Sequence, residues 1–130
     1  MNSTNSTDAK KVVLPFWEIM RSNDFYAAAE LLSEDYIGFW PQSAGQTRGR
    51  DNFAKINSAY PVTGRWMFEL NHIVCEKNEV VTDVSITDGD IQARVISFST
   101  VHDGLVEKQI EFWPDPMPVA EWRRHWIQRL

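Results

Sequence analysis

His72, Asp83, Arg94 and Glu111 are the side chains of this sequence whose types could combine into acid–base chemistry. A histidine beside a carboxylate can act as a general base near neutral pH, because the carboxylate stabilises the imidazolium. Arg94 could hold Asp83 and Glu111 ionised, or offer a donor fork to a carboxylate, phosphate or enolate oxygen. Glu111, in the apolar surroundings of Phe98 and Trp113, would have a raised pKa and could serve as a general acid. The four lie far apart in the chain, so only a strand register can assemble them.

Three short turns predict that register. Asp88-Gly89 and Asp103-Gly104 are the residue pairs a type I′ turn needs. Lys77-Asn78 is a weaker version, with Asn tolerating left-handed backbone and Lys less suited to it. A two-residue loop at Lys77-Asn78 pairs Glu76 with Glu79 and puts His72 opposite Asp83. The same loop at Asp88-Gly89 pairs Thr87 with Asp90 and puts Asp83 opposite Arg94. At Asp103-Gly104 it puts Arg94 opposite Trp113, in cation–π reach, and diagonal to Glu111. Opposed residues share a face with Cβ atoms about 5 Å apart. A one-residue slip would turn a whole strand over. The row equally fits a cross-strand ion-pair ladder that only fixes register, each pair contributing about 0.2–1 kcal/mol.

Four strands must carry that row, and the sequence supplies them. Trp66 to Glu76, Glu79 to Thr87, Asp90 to His102 and Leu105 to Trp113 are rich in Val, Ile, Phe and Thr. Before them, residues 1–11 read as a disordered polar tail. Val12 to about Ser22 has apolar residues at helical spacing, with Pro15 placed in the first turn. Asn23-Asp24 can cap a second helix running through Leu31 and Leu32. Asp35 to Trp40 reads as a strand, Gln42 to Arg50 as a loop, and Asp51 as the cap of a third helix ending at Pro61. Residues 12–130 therefore form one α+β domain, with three N-terminal helices packed on one face of a curved antiparallel sheet. The helices leave the other face bare. An uninterrupted apolar face bearing Val80, Val84, Ile86, Val95, Val101, Ile110 and Phe112 suggests a homodimer through the outer side of the sheet.

The chain has 130 residues, 43% hydrophobic and 24% charged, which fits one folded domain. Its net charge of -5 and the lack of any basic block argue against nucleic acid as a partner. No apolar run reaches the length of a membrane span, and the polar N-terminus makes a cytoplasmic location the default. Asn2 and Asn5 stand in glycosylation-type triplets within the polar tail and read as chance matches. The lone Cys75 and the scattered His72, His102 and His125 give no metal-ligand spacing. Six Trp, seven Phe and three Tyr are more than a short chain needs for core alone. Trp17, Trp40 and Phe53 are candidate ligand contacts as well as core residues, and Phe98 and Trp113 join them from the strands. Trp122, Trp126 and Leu130 recur at helical spacing between Arg123, Arg124 and Arg129, which suggests packing on the domain or on a partner.

Glu34-Asp35-Tyr36 leading into an aromatic strand, the three helices, the four-strand meander and the closing run from Glu111 to Arg124 together resemble the NTF2-like, or SnoaL-like, superfamily. The resemblance covers the chain from about Val12 to Arg124. It implies a cone-shaped α+β barrel with a pocket between helices and sheet. It also implies a small organic ligand and a cofactor-free acid–base reaction of the lyase, isomerase, cyclase or epoxide hydrolase kind. A non-catalytic binding module, or an interaction protein whose cavity its own side chains fill, is the alternative. In ketosteroid isomerases the last strand lines the pocket, and the similar positions here are Gln109, Glu111 and Trp113. The base and protonated acid of that reaction would fall at Trp40 and Ile96, which can do neither job. His72 is similar to a histidine of the dehydratase branch, though Arg21 stands where its acidic partner would. Asp83, Arg94 and Glu111 are similar in kind to the residues of limonene epoxide hydrolase.

Overall fold

The computed structural model describes residues 6–60 and 64–128. The readings made on Asn2, Asn5, Pro61, Arg129 and Leu130 lie outside those residues. The first helix, α1 (Ser6–Met20), begins well before Val12. Residues 6–11 are therefore helix, and Ala9 is fully buried. The reason is spacing: Ala9, Val13, Phe16, Trp17 and Met20 form one stripe, and all are buried. Pro15 consequently sits inside the helix rather than in its first turn. Helix α2 (Phe25–Ala29) starts where expected, with the Asp24 carboxylate accepting from the Ala27 N–H at 3.0 Å. It ends sooner, because Leu32 already begins a strand.

Strand β1 (Leu32–Trp40) turns back into β2 (Gly45–Arg48), a short hairpin inside the stretch expected to be loop. Gly49, at φ 90, then opens α3 (Arg50–Ala59). Asp51 lies in the first turn of α3 and is not its cap. The meander follows as β3 (Met67–Glu76), β4 (Glu79–Thr87), β5 (Gln92–His102) and β6 (Leu105–Phe112). The sheet order is β2-β1-β6-β5-β4-β3, with β1 parallel to β6 and every other pair antiparallel. The sheet has two free edges and does not close into a barrel.

The three helices cover one face. Val80, Val84, Val95, Val101 and Val106 on it are fully buried, each stabilising by roughly 1.5–3 kcal/mol. This is the apolar face assigned above to a second copy, so that surface is internal core. Ile110 and Phe112 do not belong to it. They project from the opposite, outer face with Ile96 and Phe98, and Phe98 packs edge-on against Phe112 at 6.1 Å.

Three features of the turns and strands set the register. At the β3–β4 turn Lys77 takes φ 54, and Glu76 pairs with Glu79 as expected. At the β4–β5 turn the Asp88 carboxylate accepts from the N–H groups of Asp90 and Ile91 at 2.9 and 2.7 Å. That bond pattern widens the loop, so Thr87 pairs with Gln92 and Asp83 with Ile96. At the β5–β6 turn Asp103 and Gly104 have φ 51 and 77, as a type I′ turn requires. A bulge follows immediately: Val101 pairs with Val106 but Thr100 pairs with Lys108, leaving Glu107 extra. After the final strand the chain crosses without regular structure to a 3-10 turn at Glu121–Trp126. Trp122 and Trp126 there are 74% and 72% exposed, so this segment does not pack on its own domain. No helix among the described residues is long and apolar enough to cross a membrane.

Candidate active site

The register brings three of the four expected groups together and separates the fourth. His72 lies opposite Asp83, and Arg94 stands diagonal to Asp83 on the next strand. Arg94 donates through Nε and Nη2 to the two Asp83 carboxylate oxygens at 2.7 and 2.5 Å. His72 Nδ1 lies 3.0 Å from Asp83 Oδ2. The bidentate bond from Arg94, with the contact to His72 behind it, holds the Asp83 carboxyl far below its usual range against an opposing effect of burial. The cluster sits on the outer face, with the His72 and Arg94 side chains 74% and 54% exposed.

Glu111 faces the other way. The extra residue Glu107 turns the end of β6 over, so Glu111 pairs with Ser97 on the helix-covered side. One Glu111 oxygen accepts from Ser97 Oγ at 2.7 Å, the other from the Trp40 indole N–H at 3.3 Å. Burial pushes its pKa up, and those two hydrogen bonds pull against the shift. Trp40 reaches it because β1 runs parallel beside β6, with Phe39 paired to Ile110. The expected stacking of Trp113 over Arg94 does not arise, since the bulge also moves Trp113 one place along.

Glu111 opens on a cavity of about 460 Å³ between α1, α3 and the sheet. Phe16, Trp17, Phe53, Trp66 and Phe68 form its apolar wall, and Trp113 stands at its border with 38% of its surface exposed. Trp66 is held in place by Asn23, which exchanges two side-chain hydrogen bonds with its backbone at 2.8 and 2.9 Å. Of the candidate ligand contacts, Trp17, Trp40, Phe53 and Trp113 line this space. Phe98 does not, because it belongs to the outer face. Gln109 is fully buried and does not line it either; its Oε1 accepts from Tyr36 Oη at 2.7 Å and its Nε2 donates to Ser99 at 3.1 Å. Sequence reasoning names Tyr36 only within the Glu34-Asp35-Tyr36 motif and gives it no role in the site, and it does not reach Ser97 or Ser99. Tyr36 has its pKa raised well above normal by burial and, secondarily, by the Glu111 charge. Its hydroxyl needs Gly38, where an added Cβ would lie 2.7 Å from Tyr36 Oη. The adjacent polar pair Glu107-Lys108 was the available signal, because two consecutive exposed residues break the alternation of a strand.

No curated protein matches the chain. Among solved structures it superposes with a TM-score of 0.88 on a protein of Kribbella flavida DSM 17836 provisionally described as a ketosteroid isomerase. That pair shares 24% identity over 98% of this chain and 93% of the other. An NTF2-like protein of unknown function from Burkholderia xenovorans LB400 is 26% identical, with a TM-score of 0.77 over 95% of this chain and 96% of that one. An LEH-like epoxide hydrolase of M. tuberculosis is 20% identical, with a TM-score of 0.67 over 84% of each chain. The model of the SnoaL-like domain matches residues 13–109, most of the sequence. Open six-stranded sheet, helical cover and sequence match agree: the chain belongs to the SnoaL-like domain family of NTF2-like fold.

Proposed function

We propose that this protein binds a small, largely apolar organic molecule in the cavity and that Glu111 exchanges a proton with it. The observation that carries the reading is a partly buried carboxyl of raised pKa at the wall of an aromatic-lined space. Both Glu111 oxygens accept hydrogen bonds, an arrangement that suits the ionised form and hence a general base. Burial keeps that base strong enough to be useful near neutral pH. The buried Trp17 indole N–H, which has no acceptor among the described residues, is a further donor for an oxygen of the ligand. Isomerisation, dehydration and cyclisation can each begin with removal of a substrate proton by Glu111, and epoxide opening with removal of a proton from the water that attacks the ring carbon as its C–O bond breaks. Titration against aromatic ketones, epoxides and hydroxy-ketones would find a substrate. On it, Glu111→Gln should lower kcat by about 10²–10⁴ with little change in binding. The wild-type rate should rise with pH as the carboxylate forms, with an inflection above the ~4.3 of a free glutamate. Turnover unchanged in Glu111→Gln would refute the role of Glu111; binding without turnover in the parent would leave the non-catalytic module, which the prior engagement of both carboxylate oxygens favours.

The outer face supports a second reading about assembly. Val74, Phe98 and Phe112 on it are 64%, 37% and 36% exposed, and Val81, Ile96 and Ile110 lie among them. We assign this surface to a second copy of the chain. In that assembly the His72–Asp83–Arg94 cluster lies at the solvent-facing rim of the contact, where it fixes strand register. Light scattering should give twice the monomer mass for the parent and a monomer for Phe98→Glu. A monomeric parent at micromolar concentration would refute the assignment.

A further inference from the structure

Beside the cavity lies a larger groove of about 1030 Å³. The two share walls at Trp66, Phe68, Ala93, Arg94, Pro114 and Pro116, so they adjoin. Their chemistry differs. The cavity is mainly aromatic and apolar, whereas the groove alone reaches Arg21 and Arg65, with Arg94 on the shared wall. Arg94 is already held by Asp83. Arg21 and Arg65 have no carboxylate within ion-pair distance among the described residues, although Glu69 and Asp115 stand in the same groove. Arg65 Nη2 donates to the Arg21 carbonyl oxygen at 3.1 Å, which anchors the Arg65 guanidinium at the end of α1. Two arginines that line one groove and have no ion-pair partner among the described residues, in a chain of net charge -5, are positions that an anionic ligand would complete.

We infer that the groove holds the anionic end of an elongated ligand whose apolar body fills the cavity against Glu111. The chemical class is a carboxylate or a phosphate ester, since guanidinium forks match the oxygens of both. The inference rests on the cavity's being a ligand site and adds the polarity and direction of what enters it.

Three matched probes test it: naphthylhexanoic acid, naphthylhexyl phosphate and the primary amide of the acid, each titrated by quenching of tryptophan fluorescence. At least one anion should bind the parent about tenfold more tightly than the amide, and the better of the two identifies the source. That advantage should shrink in high salt. It should disappear in Arg21→Gln/Arg65→Gln with amide binding unchanged. The single variant Arg21→Gln keeps the Arg65 contact to the backbone and should lose part of it. Equal binding of amide and anions, or an anion advantage that survives the double variant, overturns the groove assignment while the cavity reading stands. Binding of none of the three overturns both.

Discussion

The β3–β4 and β5–β6 hairpins start from similar two-residue turns and end by presenting their chemistry to opposite sides of one sheet. Each contains a single irregularity, and its position relative to the polar residue decides the outcome. In β3 the register shift lies between Leu70 and His72, beyond the segment that runs from the turn to His72. His72 therefore keeps the partner that the turn dictates. In β6 the shift comes directly after the turn, before Glu111, and the carboxyl is carried to the inside. A bulge between turn and side chain reverses a face, whereas one beyond the side chain does not.

Emptying the inward-facing polar pair should have the largest effect. Gln109→Leu leaves the buried Tyr36 hydroxyl without its acceptor and Ser99 without its donor, which should cost about 2–4 kcal/mol in denaturant titrations. A cost below about 1 kcal/mol would mean that these buried bonds do not hold the end of β6. Deletion of Glu107, by contrast, removes the residue left without a partner and keeps Thr100 opposite Lys108 and Ser97 opposite Glu111, so Glu111 should stay inside. A deletion variant whose Glu111 turned outward would contradict that register.

A smaller effect is expected on the outer side. Asp83→Asn removes the acceptor shared by Arg94 and His72, but both partners are largely exposed, so screening limits the loss to about 1 kcal/mol at neutral pH. The native Asp83 carboxyl lies below its unfolded value, so its stabilisation is present above about pH 4 and drains away as pH falls further. Melting temperatures of parent and variant should accordingly converge in acid. A gap that widens below pH 4 would contradict the assignment.

The smallest change lies in the β3–β4 turn itself. Lys77 adopts φ 54, a region that costs a side chain about 1 kcal/mol. Lys77→Gly should raise stability by a few tenths to about 1 kcal/mol and leave the His72–Asp83 contact intact. Chemical denaturation would read the gain, and a loss would mean that the lysine side chain contributes more than its backbone costs.

Much of this arrangement is legible in the residues. Alternation along β4 and β5, the Asp103-Gly104 turn and the Asp24 cap follow from local chemistry, and each appears as read. The pairing of His72 with Asp83 also follows, because only a turn separates them. Elsewhere, interactions that spacing does not encode took over. The Asp88 carboxylate captured two backbone N–H groups and widened a loop. That moved Arg94 from opposite Asp83 to diagonal, and a long guanidinium bridged the difference. The start of α1 was hidden because Ser6 to Lys11 is polar apart from Ala9, and only burial of Ala9 against the core reveals it. The hairpin β1–β2 was hidden because Gln46, Thr47 and Arg48 carry no apolar alternation.

Strand β6 is the last of the six strands to be made, yet it lies between β1 and β5 in the middle of the sheet. A nascent chain leaving the ribosome therefore carries β1 and β2 with no neighbour to join them to the meander until residues beyond Leu105 emerge. Folding is completed by insertion of that strand rather than by gradual growth from the N-terminus, so the core cannot close before β6 has been made.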